Sequence, residues 1–172
     1  ILRRGIDRLE NVGNRYLDGF ESPEDPTRKL ASEVVDLSRL VSQVTAMHAQ
    51  AFSQAGQRIF VSPDSESGVV IFADAGAIEE VLTNIISNCH KHAGQGASIC
   101  VRITKNKDQT ASVEVIDDGF GMTPDVLKNT RKAMQNPNSI LTGKNHLGLQ
   151  ISARLIALHG GASWIKSRSR RG

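Results

Sequence analysis

The feature that most constrains this chain is a long helical segment with one broad apolar face, predicted from Asp74 to about His92. Apolar side chains recur along it at helical spacing, at Ile78, Val81, Leu82, Ile85, Ile86 and Cys89. A face of that width must be buried against another layer of the molecule. Strand-like segments precede and follow the helix, so the sequence predicts a two-layer α/β sandwich.

The same patterns predict the other elements. Asp36 can cap a helix that runs to about Gln54, with Leu40 and Met47 among its inward side chains, and Gly56 ends it. Thr123 can cap a short helix that begins at residue 124. A last helix is predicted at 147–159, and residues 131–145 are polar and predicted as a long loop. Strands are predicted at 28–31, 59–61, 69–72, 97–104, 111–116 and 162–167.

Composition excludes several classes of protein. The net charge of +3 and an aromatic content of 4% do not indicate a nucleic-acid-binding domain. No apolar run approaches the roughly 20 residues of a membrane helix, so no membrane contact is expected from this part of the protein. Cys89 and Cys100 have neither metal-site nor disulfide spacing, which favours reduced thiols and a cytoplasmic location.

The first 26 residues differ from the rest. Residues 1–20 carry a narrow apolar stripe, at Leu2, Ile6, Leu9, Tyr16 and Phe20. Such a stripe favours packing on a partner helix, although an ordinary surface helix remains an alternative. Residues 21–26 contain two prolines among acidic residues and are predicted to be a linker. Residues 27–172 are then the globular domain.

Three segments carry residues suited to chemistry. On the long helix, Asn84, Asn88 and Lys91 share one stripe beside the apolar face. Asparagine is a middling-to-poor helix former, so two on one stripe suggest a role. Amide oxygens suit Mg²⁺, and a lysine suits phosphate. The alternative is a solvated polar face with incidental asparagines.

The second segment, residues 117–122, reads Asp-Asp-Gly-Phe-Gly-Met directly after a strand. Gly119 and Gly121 would let the backbone approach a flat ligand, and Asp117 could accept a hydrogen bond from an exocyclic amine. A simple strand-to-helix turn is the alternative.

The third segment, residues 143–149, brings Gly143, Lys144 and Gly148 to the start of a helix, where free amides bind anions. It is not a Walker A loop, because Asn145 replaces the required Ser or Thr. An ordinary beginning of a helix is the alternative.

Together and in this order, the three segments resemble the ATP-binding catalytic domain of sensor histidine kinases, in the superfamily that includes gyrase, Hsp90 and MutL. Residues 81–93 resemble the N box, 117–122 the G1 box, and 147–152 the G2 box. Residues 159–167 are similar to the segment that follows them. The resemblance implies the Bergerat fold, a mixed, mostly antiparallel sheet with helices on one face.

It also implies roles for single residues. Asn88 would be the Mg²⁺ ligand, and Asn84 and Lys91 would complete the catalytic set near the phosphates of ATP. Asp117 would accept the amino group of adenine, and residues 131–146 would form a lid over the nucleotide. The other implied nucleotide contacts are His92, Gly119, Gly121, Met122, Gly143, Lys144, Leu147, Gly148 and Leu149.

The resemblance also distinguishes between two reactions, phosphoryl transfer to an acceptor and hydrolysis of ATP. Hydrolysing members carry a Glu base where this chain has Asn84, which cannot take a proton from water. Transfer of the γ-phosphate to a histidine on the protein's own dimerisation domain is therefore expected, within a homodimer that signals to a response regulator. That acceptor would precede Ile1, and one more strand is expected after Gly172.

Two departures from the family pattern leave an alternative open. His146 stands where the G2 box usually has glycine, and no Phe follows Phe120, so the F box is missing or degenerate. A degenerate module that signals by binding proteins, with weak or no nucleotide binding, is the competing interpretation. A serine kinase of the same fold and a gyrase-type ATPase are less favoured.

Overall fold

The computed structural model describes residues 30–108, 110–135 and 147–167. The segments 1–20 and 21–26, predicted to be a helix and a linker, lie outside these residues. The elements in chain order are β1 (Glu33–Asp36), α1 (Leu37–Gln54), β2 (Arg58–Val61), β3 (Val70–Ala73), α2 (Ala75–His92), β4 (Ser98–Lys105), β5 (Ala111–Asp117), α3 (Pro124–Gln135) and α4 (Leu147–Leu158).

Aspartates begin the two long helices, as the sequence predicts. The carboxylate of Asp36 accepts a hydrogen bond of 2.9 Å from the backbone N–H of Arg39. That of Asp74 accepts one of 2.9 Å from Ala77. These bonds satisfy N–H groups that have no partner within the first turn. Just beyond α1, Gly56 has φ +67°, a conformation that glycine adopts without steric cost.

The five strands found among the described residues form two ladders. β1 and β3 pair antiparallel, with Val35 opposite Ile71. In the second ladder β4 is central, since it pairs parallel with β2 and antiparallel with β5, where Val101 lies opposite Val115. The pairing is mixed and mostly antiparallel, which confirms the predicted fold class.

The main core lies between the three-stranded ladder and the helices α1 and α2. Ile99, Val101 and Ile103 of β4 are buried at alternate positions, and α2 contributes Leu82 and Ile86. Complete burial of each such side chain stabilises the fold by about 1.5–3 kcal/mol. The core therefore holds α2 by its apolar face and leaves its polar stripe for other contacts.

Two predicted details of α1 and β1 are wrong. Met47 is 60% exposed, because the neighbours that cover Val44 leave Met47 on the wall of a shallow groove. The first strand begins at Glu33 rather than at residues 28–31. Leu30 instead packs beside a small apolar cluster of α2 and α4, and Ala31 donates its N–H to the Asp74 carboxylate over 3.0 Å.

Two predictions near the C-terminus are also wrong. Residues 131–135 belong to α3 rather than to a loop, because Thr130 and Ala133 bury one side of that helix. Residues 162–167 form no strand. There the carbonyl oxygen of Ile165 accepts a hydrogen bond from the Arg131 side chain, and the Ser167 hydroxyl accepts one from the N–H of Met122. These side-chain hydrogen bonds hold the segment in place of strand pairing.

None of the helices in the described ranges is both long enough and apolar enough to cross a bilayer.

Candidate functional site

The polar stripe of α2 is only partly covered by the rest of the molecule. Asn84 and Asn88 are half-buried, whereas Lys91 and His92 are exposed in the last turn of the helix. Ile78 and Leu82, on the opposite side, are buried in the core. The predicted separation of the two faces is confirmed, so the stripe can be reached by a ligand over about two turns.

The turn at residues 117–121 lies directly on the C-terminal end of α2. A Cβ atom on Gly119 would lie 2.6 Å from both the Cα and the carbonyl oxygen of Ala93. A Cβ atom on Gly94 would lie 2.7 Å from the ring of Phe120. Glycine is therefore needed both at position 119 in the turn and at position 94 after the helix. The second predicted segment therefore packs against the end of the first.

Asp117 projects from the end of β5 next to this contact. Its Oδ1 accepts a hydrogen bond of 3.0 Å from the N–H of Gly119, which orients the carboxylate. No described residue donates a hydrogen bond to Oδ2. Burial, reinforced by the negative charge of Asp117, raises the pKa of the Cys89 thiol to about 12. The carboxylate thus lies near the last turns of α2 and can accept a further hydrogen bond.

The neighbouring carboxylate of Asp118 has a structural role. Its Oδ1 accepts a hydrogen bond of 2.7 Å from the N–H of Ser98, and its own N–H donates to the Ser98 carbonyl over 3.3 Å. These bonds tie the turn to the first residue of β4. The two adjacent aspartates therefore have different roles. Asp118 fixes the turn, whereas the Asp117 carboxylate can still accept a hydrogen bond from a ligand.

The third predicted segment reaches the stripe at its other end. A Cβ atom on Gly148, in the first turn of α4, would lie 3.7 Å from Cγ of the Asn84 side chain. Leu147 is exposed and Leu149 is half-buried. Gly143, Lys144 and His146 lie outside the described residues. The beginning of α4 and Asn84 thus face each other, and the N–H groups of a helix start are available there.

The two ends define an elongated site along α2. Ala93 lies nine positions after Asn84, which corresponds to about 13 Å along the helix axis. A helix start, whose N–H groups suit an anion, lies at one end, and a carboxylate that can accept a hydrogen bond lies at the other. Among the residues that the structure describes, no cluster of three His, Cys, Asp or Glu could hold a metal ion. A cation here would need amide oxygens and ligand phosphates, a donor set that suits Mg²⁺.

Three other contacts near the turn were not predicted. The Ser167 hydroxyl accepts a hydrogen bond of 2.7 Å from the N–H of Met122, beside Gly121 with φ +71°. Asp118 bonds to Ser98, and Gln57 bonds to the end of α2. Each joins residues far apart in the chain, so no local pattern could reveal it.

A family comparison agrees with this arrangement. The profile of the histidine kinase-, DNA gyrase B-, and HSP90-like ATPases matches residues 73–172, more than half of the chain. The chain belongs to this ATPase family. The matched range contains the polar stripe, the glycine turn and the start of α4. The family predicted from the N, G1 and G2 boxes is therefore confirmed.

Relatives of the chain are sensor kinases. The sensor protein BasS of Salmonella typhimurium is 29% identical over 115 residues, which cover 67% of this chain and 32% of BasS. The adaptive-response sensory kinase SasA of a Synechococcus species is 26% identical, over 97% of this chain and 46% of SasA. The chain thus spans between a third and a half of the length of these two relatives.

Solved structures share the fold. The catalytic domain of the histidine kinase ThkA superposes with a TM-score of 0.68 at 20% identity, over 81% of this chain and 89% of that one. The histidine kinase AdeS of Acinetobacter baumannii gives 0.71 at 17% identity, over 98% and 78%. ShkA, solved in complex with AMPPNP, gives 0.69 at 24% identity, over 93% and 34%. The predicted α/β architecture is therefore confirmed.

Proposed function

We propose that this chain is the ATP- and Mg²⁺-binding catalytic domain of a sensor histidine kinase. The observation that carries the proposal is the convergence of three separate segments on α2. The Asp117 turn packs on its C-terminal end at Ala93, and the start of α4 faces Asn84 two and a half turns earlier. An anion-binding end and a base-binding end at this separation suit a nucleoside triphosphate.

Asp117 would recognise the base. Its Oδ1 is engaged by the N–H of Gly119, so Oδ2 can accept the exocyclic amino group of adenine. Gly119 lets this turn rest directly on Ala93, which would place the carboxylate in the wall of an adenine pocket at the end of α2. Gly121 and Met122 continue the pocket wall, where Ser167 accepts a hydrogen bond from the N–H of Met122.

The phosphates would lie along the polar stripe towards α4. Asn88 would hold Mg²⁺ through its amide oxygen, and bound Mg²⁺ supplies positive charge that neutralises the phosphate oxygens. Asn84 would orient a phosphate or a water molecule opposite Gly148. Lys91 and His92, in the last turn of α2, are also proposed to contact the nucleotide, as are Gly143, Lys144, Leu147 and Leu149.

The residue at position 84 favours transfer over hydrolysis. An asparagine amide does not accept a proton from water, so position 84 supplies no general base. Phosphoryl transfer depends mostly on positioning and on charge stabilisation. The acceptor we propose is a histidine on the protein's own dimerisation domain.

The assembly follows from the same proposal. Residues 1–20 would be the end of a dimerisation helix, 21–26 a linker, and 27–172 the catalytic domain. The whole protein would act as a homodimer, with its catalytic domain in the cytoplasm, and pass the phosphoryl group to a response regulator. A nucleic acid is not among the proposed partners.

A phosphotransfer assay tests this function. The chain is incubated with γ-labelled ATP, Mg²⁺ and a dimerisation domain that carries the acceptor histidine. Acid-labile labelling of that domain is expected. Asn88→Ala should abolish it, whereas Asn106→Ala, in the distant turn between β4 and β5, should not.

The lack of any Phe after Phe120 supports one second candidate, a module that signals by binding proteins. ATP binding without transfer to any acceptor domain, or no binding at all, would favour that candidate over the kinase.

A further inference from the structure

Gln57, in the short connection between α1 and β2, makes three hydrogen bonds to the end of α2. It is buried, with 6% of its surface exposed. Its Nε2 donates to the carbonyl oxygen of Gly94 over 2.8 Å and to that of His90 over 3.1 Å. Its Oε1 lies 2.7 Å from Nδ1 of His90. One side chain from another segment thus bonds to both the backbone and a side chain at the end of the helix.

The chemistry of these groups fixes the orientation of the amide and the state of the imidazole. Backbone carbonyl oxygens only accept hydrogen bonds, so Nε2 must face them and Oε1 must face His90. Nδ1 of His90 must then carry a proton, which it donates to Oε1. The imidazole also packs against the buried Phe52, with ring centroids 4.8 Å apart. His90 is therefore held on the core side of α2, away from the polar stripe.

These hydrogen bonds satisfy carbonyl groups at the C-terminal end of α2. The last four carbonyl groups of an α-helix have no partner within the helix, and the His90 carbonyl is one of them. The Gly94 carbonyl lies two residues beyond the end of α2, where the chain turns with φ +89°. Leaving such buried acceptors unpaired has a substantial cost in stability. Gln57 therefore acts as a C-terminal cap supplied from outside the helix.

The capped segment is also the surface on which the Asp117 turn rests. Gly119 is in close contact with Ala93, and the ring of Phe120 covers Gly94. Asp117 is oriented in turn by the N–H of Gly119. A displacement of residues 93 and 94 would therefore move the carboxylate that faces the base.

We infer that Gln57, acting through its bonds to His90 and Gly94, is a positioning residue that sets the selectivity of the site for adenine. The inference rests on the proposed function, because it concerns the base-binding end of that same site. Because Gln57 acts through the segment on which the Asp117 turn rests, its effect is expected in base discrimination rather than in the contacts to phosphate.

The experiment compares the affinities for ADP and GDP of the unsubstituted chain, Gln57→Met and Asn106→Ala. Methionine keeps the length of the side chain but removes its polar atoms. Asn106 is a matched control, since its Nδ2 donates to the hydroxyl groups of Thr110 and Ser112 at the far end of the sheet. Gln57→Met should lower the ADP-to-GDP affinity ratio about tenfold, the effect of one or two lost hydrogen bonds, while Asn106→Ala leaves it unchanged.

If Gln57 had a purely structural role, Gln57→Met would lower the folded fraction and weaken the binding of ADP and GDP equally. An unchanged ratio in folded Gln57→Met, with nucleotide binding intact, would therefore overturn this inference alone. Failure of the unsubstituted chain to bind ADP would overturn the proposed function and this inference with it.

A second measurement needs no variant. Nitrogen chemical shifts of the His90 ring, recorded at about pH 8 where an ordinary imidazole is neutral, should show the proton on Nδ1. A ring protonated on Nε2 would contradict the three-bond arrangement, even if Gln57→Met does not fold.

Discussion

Gly119 lies against Ala93 so closely that a single added methyl group would be 2.6 Å from two of its backbone atoms. This contact joins the turn that carries Asp117 to the end of the helix that carries Asn84 and Asn88. It brings the two segments, about 30 residues apart in the chain, together in one candidate site. The glycine is needed for close approach rather than for an unusual backbone conformation.

Gly119→Ala should therefore destabilise the chain and abolish ATP binding. Overpacking against a backbone typically costs about 1–3 kcal/mol. Gly76→Ala is the matched control, because its Cβ atom would be 3.4 Å from the nearest atom, Oδ1 of Asp74, and alanine is preferred inside a helix. Urea unfolding of the two variants measures the difference. Equal stability of Gly119→Ala and the unsubstituted chain would disprove the close contact.

Gly148→Ala should weaken ATP binding without lowering the stability of the fold. Its Cβ atom would be 3.7 Å from the Asn84 side chain, so the fold can accommodate it, and the helix should gain up to about 1 kcal/mol. The same methyl group would fill the narrow gap between Gly148 and Asn84, beside the position that we propose for the phosphates. We expect an unchanged or higher free energy of unfolding together with weaker ATP binding in calorimetry. Unaltered ATP affinity would place the phosphates elsewhere.

The Cys89 thiol reports on Asp117 without any nucleotide. Burial, and then the charge of Asp117, raises its pKa to about 12, so little reactive thiolate forms near neutral pH. Alkylation of Cys89, followed by mass spectrometry, should be much slower in the folded chain than in urea. Asp117→Asn should accelerate it by less than about tenfold, because burial is the larger cause. No acceleration at all would mean that Asp117 does not face α2.

Acid should destabilise the fold through His48. Burial, with a smaller contribution from the charge of His90, lowers the pKa of His48 below its ordinary value of 6.5. The unfolded chain then binds the proton more readily, so stability is complete above about pH 7 and declines as the pH falls through 6.5. His48→Gln should reduce this decline in urea unfolding measured at about pH 7.5 and 5.5. An identical decline in both proteins would exclude His48 as its source.

Local patterns predicted much of this fold because the responsible contacts are local. Asp36 and Asp74 cap helices whose amides lie three residues away, and Gly56 ends α1 as expected. Thr123 similarly accepts a hydrogen bond of 3.4 Å from the N–H of Val126 at the start of α3. The exposure of Met47 was not predictable, since it depends on which neighbours pack on α1.

The candidate site shows the same difference between features set by local sequence and features set by long-range contacts. Asn84, Asn88, Asp117 and Gly148 were identified because their chemistry is visible in short segments. Gln57 was missed because its partner Gly94 is 37 residues away. Ser167 was missed for the same reason, since it bonds to Met122 across 45 residues. Candidate ligand-binding residues can thus be proposed from the sequence here, whereas the residues that position them require the structure.

Calorimetric titration of ATP into the chain in the presence of Mg²⁺ measures directly whether Asp117 and the polar stripe of α2 form a nucleotide site. We expect binding of one ATP per chain, weakened about tenfold to a hundredfold by Asp117→Asn, which removes the charged acceptor of the adenine amino group. Absence of ATP binding, or equal affinity of the unsubstituted chain and Asp117→Asn, would contradict it.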